Sequence, residues 1–140
     1  MFKSSSIAGW REYSKRYTLE GSQCIACQKI YFPSIFLCSC TSKTFKSFKL
    51  SGLGKLISFT NITSACAEFK HLPTYCVGLV EFDEGPRATV QLTDVNLSDL
   101  YVGMRVQSTF RKFYSHGNNG IIEYGLKFEP ILTKRQIKIS

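Results

Sequence analysis

Gly21-Ser22-Gln23-Cys24-Ile25-Ala26-Cys27-Gln28-Lys29-Ile30-Tyr31-Phe32-Pro33, followed by Leu37-Cys38-Ser39-Cys40, sets four cysteines within seventeen residues, spaced C-x2-C-x10-C-x-C. Each short turn presents two sulfurs to one point, so Cys24, Cys27, Cys38 and Cys40 are candidate ligands of a single metal ion. Zn²⁺ accepts four thiolates tetrahedrally and needs no redox chemistry, which makes a small, rubredoxin-like zinc ribbon the natural reading. The first pair is ordinary for a zinc knuckle. The second, C-x-C, lacks the usual second spacer and strains the turn that aims its sulfurs inward. Disulfides, a reactive dithiol, or a knuckle that has lost its metal are the alternatives. Four protein ligands leave no open position for water, so such a zinc is structural, not catalytic.

Outward from this stretch, the chain of 140 residues fits one ordinary domain or two small ones. A ribbon of about thirty residues buries too little surface to fold unaided, and a metal is a usual remedy. With 44% hydrophobic and 14% aromatic residues, the chain is composed as a packed protein rather than a disordered one. No apolar run approaches the ~18–20 residues of a membrane span, and Met1–Lys15 lacks the unbroken apolar core of a signal peptide. A cytoplasmic location is therefore expected, where reducing conditions favour metal binding over disulfides.

The net charge of +8 is uneven. Residues 1–50 hold eight Lys or Arg against Glu12 and Glu20, whereas residues 51–140 hold ten against eight acidic groups. The positive potential belongs mainly to the N-terminal third, where it attracts nucleic acid, an anionic cofactor or an acidic protein surface, or serves solubility alone.

Ser6–Tyr17 reads as a short amphipathic helix: Ile7, Trp10, Tyr13 and Tyr17 recur at helical spacing opposite Arg11, Lys15 and Arg16. Its aromatic stripe packs either on its own domain or on a partner, and Trp10, Tyr13 and Tyr17 are the candidate partner-binding residues. In the ribbon, Ile30-Tyr31-Phe32 is expected as the central strand, ended by Pro33. Lys43, Lys46 and Lys49, interleaved with Phe45 and Phe48, read as a connecting strand with solvated lysines, although the same mixture stacks on bases and pairs with phosphates elsewhere.

From Leu50 the pattern becomes strands. Ala88, Val90 and Leu92 alternate with Arg87, Thr89 and Gln91; Met104, Val106 and Phe110 with Arg105, Gln107 and Thr109. Ile122, Tyr124, Leu126 and Phe128 repeat the pattern opposite Glu123 and Lys127, and Leu53–Ile62 and Tyr75–Phe82 are two further apolar runs. Turns fall at Asp83–Pro86 and His116–Gly120, and Leu97–Gly103 has room for one helical turn. Five antiparallel strands with a small helix after the third match a Greek-key OB-fold barrel; a six-stranded barrel or small sandwich would pattern similarly. The expected division is an N-terminal helical segment (1–20), a zinc ribbon (21–48) and an OB-fold domain (49–140).

W-R-E-Y-S-K-R-Y-T-L-E-G-S-Q-C at Trp10–Cys24 and C-Q-K-I-Y-F-P at Cys27–Pro33 resemble the start of the zinc-ribbon plus OB-fold proteins of domain of unknown function 35. The likeness continues at Leu50–Leu56, Val77–Gly85, Val102–Val106 and Gly120–Pro130, in order over nearly the whole chain. Gln28 stands where a knuckle glycine is common, Ser34 and Ile35 replace the usual proline and arginine, and the second knuckle is one residue short. The resemblance implies an accessory subunit that bridges thiolases, thiolase-like synthases or hot-dog hydratases acting on acyl-CoA, or helps hold the CoA. In archaea, one assembly of this kind serves acetoacetyl-CoA and hydroxymethylglutaryl-CoA synthesis in the mevalonate pathway.

Catalytic apparatus is sparse. His71 and His116 have no nucleophile nearby in sequence, Cys66 and Cys76 sit in apolar surroundings, and Asp83 and Glu84 suit a solvated turn. There is no Walker loop, no G-x-G-x-x-G and no H-E-x-x-H. An independent enzyme is not expected. The leading function is an accessory subunit handling acyl-CoA, with Lys55, Arg87, Arg111 and Lys127 as candidate CoA-binding residues on barrel strands. The alternative is a single-stranded nucleic-acid-binding protein. Against it stand the acidic turn at Asp83–Pro86 and the near-balanced charge of the barrel.

Overall fold

The computed structural model describes residues 18–64, 74–115 and 122–131. The helix expected over Ser6–Tyr17, the docking residues Trp10, Tyr13 and Tyr17, both histidines and Cys66 lie outside the described residues. What is described is almost entirely strand. β1 (Glu20–Cys24), β2 (Ile30–Tyr31) and β3 (Phe45–Lys49) form one small antiparallel sheet, ordered β2-β1-β3. β4 (Leu53–Ile62), β5 (Tyr75–Phe82), β6 (Arg87–Leu92), β7 (Arg105–Ser115) and β8 (Ile122–Pro130) close into a five-stranded barrel, ordered β4-β5-β6-β8-β7.

Ile30-Tyr31 is therefore an edge strand of two residues, not the centre of the ribbon. The reason is local. The first knuckle turns the chain tightly at Cys24–Cys27, so β2 can only fold back along β1, and Pro33, which has no N–H to donate, ends it. The lysine-bearing segment then supplies the other partner. β3 pairs with β1 over five positions, from Glu20↔Lys49 to Cys24↔Phe45, so it belongs to the sheet rather than merely linking two domains.

Gly21 on β1 has a steric role. A Cβ there would collide with the backbone carbonyl of Tyr31, which cannot move without opening the β1/β2 ladder. Gly21→Ala is accordingly expected to destabilise the ribbon more than the exposed substitution Gln23→Ala. Chelator-induced loss of metal should be faster in the first and near wild type in the second.

Alternation fixes the barrel interior. Leu56, Val80, Phe82, Leu92, Val106 and Phe128 are almost wholly buried and join Leu50, Leu100 and Met104 in one core. Ala88 and Val90 pack against it, as their spacing predicted. The expected helical turn is a single 3₁₀ turn at Leu97–Asp99, which leads to Leu100 and Met104, both buried in the core. One contact departs from an all-antiparallel pattern: β6 meets β8 in parallel at Leu92↔Phe128. Ile30, Phe32 and Phe48 pack on the same core, and Phe32 meets Phe82 edge-to-face at 5.6 Å. Ribbon and barrel share apolar packing.

The Asp83–Pro86 turn does more than reverse the chain. Arg105 donates two hydrogen bonds to the Asp83 carboxylate, at 2.6 and 2.7 Å, and Glu84 Oε1 accepts from the Ser51 N–H at 2.7 Å. Arg105 beside Asp83 holds that carboxyl below its usual range. Since the folded value is depressed, the pair stabilises the fold above the ordinary carboxylate pKa of about 3.9 and is lost as pH falls through the lower folded value. Both groups are roughly half-exposed, so the effect is small. Asp83→Asn should flatten the acid limb of a melting-temperature profile below about pH 4 and leave neutral stability nearly unchanged.

Candidate metal centre

The first knuckle is wound by backbone hydrogen bonds. Cys24 N–H donates to Lys29 O at 2.9 Å, and Gln28 N–H donates to Cys24 O at 3.0 Å. In the second, Cys38 N–H donates to Ser42 O at 3.0 Å, and Thr41 N–H to Cys38 O at 2.9 Å. Ile25 N–H to Thr44 O, at 3.2 Å, ties the two knuckles together. The four sulfurs all lie within 4.8 Å of one another. Cys24 Sγ is 3.6 Å from Cys40 Sγ, and Cys27 Sγ is 3.4 Å from Cys38 Sγ. Zn–S bonds of about 2.3 Å in a tetrahedron put sulfurs about 3.8 Å apart, so the donor set and spacing fit one such ion. Among the described residues this is the one cluster of His, Cys, Asp or Glu with metal-ligand geometry.

The C-x-C knuckle reaches this geometry despite its missing residue, and the backbone shows how. Gln28 and Thr41 each directly follow the second cysteine of a pair, and both take left-handed conformations, with φ of 61° and 65°. The sequence hinted at the first through the missing knuckle glycine. It gave no sign of the second. A β-branched residue in this region is strained by about 1–3 kcal/mol, partly offset here by the Thr41 hydroxyl donating to Cys40 O at 2.6 Å. Thr41→Gly is expected to tighten the ribbon by about 1 kcal/mol. Slower metal release to a chelator would register it, and faster release would contradict it.

The electrostatics of the four thiols suit a cation. The N–H groups of Cys27 and Ala26 pull the Cys24 thiol below its ordinary value against the opposing effect of burial. The Cys40 N–H and the Tyr31 hydroxyl lower Cys38 to about 5; the Tyr31 oxygen lies 3.2 Å from Cys38 Sγ. Cys40 is also favoured as a thiolate by the Ser42 N–H. The neighbouring Cys38 sulfur, burial, and the other two thiols outweigh it and push Cys40 up to about 12. Four sulfurs this close cannot all ionise against one another; a divalent ion among them removes that conflict. Tyr31 was missed as part of this site, because nothing in its sequence position shows that its strand aims the ring back at the second knuckle.

The four candidate CoA-binding cations do not converge. Lys55 and Arg87 share one outward-facing row, Arg105–Lys55–Glu81–Arg87, that runs across β7, β4, β5 and β6. Arg87 is paired with Glu81 at 2.6 Å. Arg111 lies six residues beyond Arg105 on β7, about 20 Å along the strand. There it contacts Asp94 at 2.9 Å and Glu129 at 3.3 Å. Lys127, on the same face of the β7–β8 pair, is only 7% exposed, and burial pushes its pKa down. Cys76, which the sequence placed in apolar surroundings, is half-buried, its thiol raised by desolvation. Phe110 and Tyr124 stack at 5.5 Å on the β7–β8 hairpin and remain substantially exposed.

Comparison with known proteins gives one answer from sequence and fold alike. The family described as ChsH2, C-terminal OB-fold domain, matches residues 49–111. A DUF35 domain-containing scaffold protein of Methanocaldococcus jannaschii is 39% identical over 127 residues, covering 89% of this chain and 90% of that protein. One from Methanothermobacter thermautotrophicus is 36% identical over 129 residues, covering 91% and 97%. A Pyrococcus furiosus protein of the same description is 35% identical over 124 residues, covering 88% and 90%. Among solved structures, a chain of the Ltp2-ChsH2(DUF35) aldolase superposes with a TM-score of 0.67 over 92% of this chain and 96% of that one. At 21% identity, that likeness speaks to the fold alone. With curated relatives matched over about nine-tenths of both lengths, and with the ribbon and barrel in place, this chain belongs to the DUF35 family.

Proposed function

We propose that the chain is a non-catalytic scaffold subunit that joins thiolase-type acyl-CoA enzymes in the cytoplasm, with a structural zinc ion held by Cys24, Cys27, Cys38 and Cys40. The observation that carries this reading is the 35–39% identity, over most of both chains, to proteins described as scaffolds. The name of the fold neighbour, which joins a DUF35 chain to Ltp2 in an aldolase, supports the same class of role. The proposed division is a helical segment at 1–20, a ribbon at 21–48 and a barrel at 49–140, with Trp10, Tyr13 and Tyr17 on the docking side. No helix among the described residues is long and apolar enough to cross a membrane.

Within this reading, direct contact with CoA or acyl-CoA falls first to Lys55 and Arg87, on the outward row of the barrel. Arg111 and Lys127 would contribute from a separate place. Nucleic acid is the less favoured ligand, because residues 51–140 hold ten Lys or Arg against eight acidic groups, too even a balance to neutralise a run of phosphates. The test is co-expression with the thiolase-type enzymes of the source organism, followed by gel filtration with light scattering. A complex containing this chain is expected, the isolated chain turning over no acyl-CoA; separate elution under all salt conditions would reject the scaffold role. Lys55→Glu combined with Arg87→Glu should weaken CoA binding roughly tenfold and leave assembly intact. Unchanged CoA affinity removes the barrel row from the site.

A further inference from the structure

The two cysteines of each knuckle differ in exposure: Cys24 and Cys38, the first of each pair, are buried, whereas Cys27 and Cys40 are open to solvent. The two knuckles also differ in what surrounds their sulfurs. Among the described residues, Tyr31 is the one side chain besides the cysteines that is hydrogen-bonded to a sulfur of the site. It reaches Cys38, in the short C-x-C knuckle. The Tyr31 oxygen lies 3.2 Å from Cys38 Sγ and 3.2 Å from the Ser39 hydroxyl oxygen. β2 is only two residues long, so its backbone alone gives the ring little guidance. Phe45 of β3 supplies it, meeting the Tyr31 ring edge-to-face at 6.4 Å from across β1.

The available protons fix the direction of both contacts. A metal-bound cysteine is a thiolate and carries no proton, so Cys38 can only accept and the Tyr31 hydroxyl donates. That hydroxyl has one proton, so its oxygen accepts from Ser39. We infer that Ser39 and Tyr31 form a hydrogen-bond chain ending on Cys38 Sγ, which makes Cys38 the anchoring ligand of the metal and leaves the exposed Cys27 and Cys40 as the ligands that let go first. Tyr31 is thus a positioning residue that acts through Cys38. A donor on a thiolate makes a charge-assisted hydrogen bond, and a second donor behind it polarises the first. Partners of this kind orient the ligand they touch, and losing one costs about tenfold to a hundredfold in metal affinity. A ring kept only for its packing on Phe45 would serve as well without the hydroxyl, so Tyr31→Phe separates the two roles.

This chain of donors presupposes the zinc reading of the four cysteines proposed above, and the experiment keeps the two apart. The full chain is loaded with Zn²⁺, or with Co²⁺ as a spectroscopic probe, in the wild type, Tyr31→Phe and Ser39→Ala. In Tyr31→Phe the sulfur-to-Co²⁺ charge-transfer band is expected to move to longer wavelength, since the sulfur electrons lose a donor that stabilises them. Zinc should pass to a chelator about tenfold faster or more. Maleimide labelling of the zinc form, mapped by mass spectrometry, should reach Cys27 and Cys40 before Cys24 and Cys38 in the wild type. In Tyr31→Phe, Cys38 should be labelled ahead of Cys24. Ser39→Ala should move all three readouts the same way by less, and it decides the matter should Tyr31→Phe fail to fold. An unchanged band and labelling order in the variants, or Cys38 labelled first in the wild type, overturns the inference; one bound equivalent of metal then still upholds the zinc reading. A wild type that takes up no metal overturns both.

Discussion

Cys38→Ser is expected to empty the metal site and unfold the ribbon while the barrel stays closed. Cys38 is the buried ligand with the greatest support: the Cys40 N–H and the Tyr31 hydroxyl both favour its thiolate. Serine keeps the volume and loses the soft, ionised donor, leaving three cysteines for one ion. Structural zinc contributes on the order of 10–16 kcal/mol to small domains of this kind, because the ligands converge only in the folded state. Three short strands cannot replace that from their own packing. Elemental analysis should fall from close to one equivalent of zinc to near none. Amides of Glu20–Cys24 and Phe45–Lys49 should then exchange freely, and those of Tyr75–Phe82 should stay protected. Full metal retention with an unchanged ribbon would show that the cluster does not hold the ribbon together. Leu19, Phe32 and Phe48 lie on the barrel core, so a modest fall in barrel stability should accompany the loss.

Phe128→Ala should have the largest effect in the barrel. Phe128 is fully buried and sits edge-to-face on Phe82 at 5.8 Å; Phe82 in turn meets Phe32 of the ribbon. It also stands at the seam, where β6 and β8 meet through the Leu92↔Phe128 register and the Thr93 N–H donates to Phe128 O at 2.8 Å. Truncating a buried Phe costs about 3–5 kcal/mol. Against a total stability of roughly 5–15 kcal/mol, that is a large share. Urea unfolding should show a lowered midpoint with a similar slope. Exchange protection should drop first along Arg87–Leu92 and Ile122–Pro130, the strands the seam joins. A loss below about 1 kcal/mol would mean that the seam relaxes around the cavity.

The two parts of this basic chain of 140 residues carry their charge differently. The barrel gives a rigid platform, and its arginines are mostly neutralised by carboxylates of adjoining strands and turns. The ribbon carries Lys43 and Lys46, which have no ion pair among the described residues, and Phe36, the most exposed large hydrophobic side chain among them.

Much of this was legible before any coordinates. Cys24, Cys27, Cys38 and Cys40 announced a shared site by spacing alone, because only a few chemistries need four thiols in seventeen residues. Period-two alternation placed Ala88, Val90, Leu92, Val106 and Phe128 on the inside, since a strand with one buried face must alternate. Turn residues fixed where the strands end. Tertiary structure decided the rest. Which strand is central in the ribbon depends on pairing between distant segments, such as Glu20 with Lys49, and local pattern cannot report it. Whether the short C-x-C knuckle can aim its sulfurs depended on Thr41 accepting a left-handed backbone, a conformation its β-branched side chain argues against. The fate of each cation was likewise a matter of neighbours: Lys127 was drawn under cover, Arg111 was taken by Asp94 and Glu129, and Lys43 and Lys46 were left without an ion pair among the described residues. Composition and periodicity determine which residues a chain must bury and which chemistry it carries. The partner each charge finds is set by long-range closure of the sheet, which brings together residues that no sequence window contains.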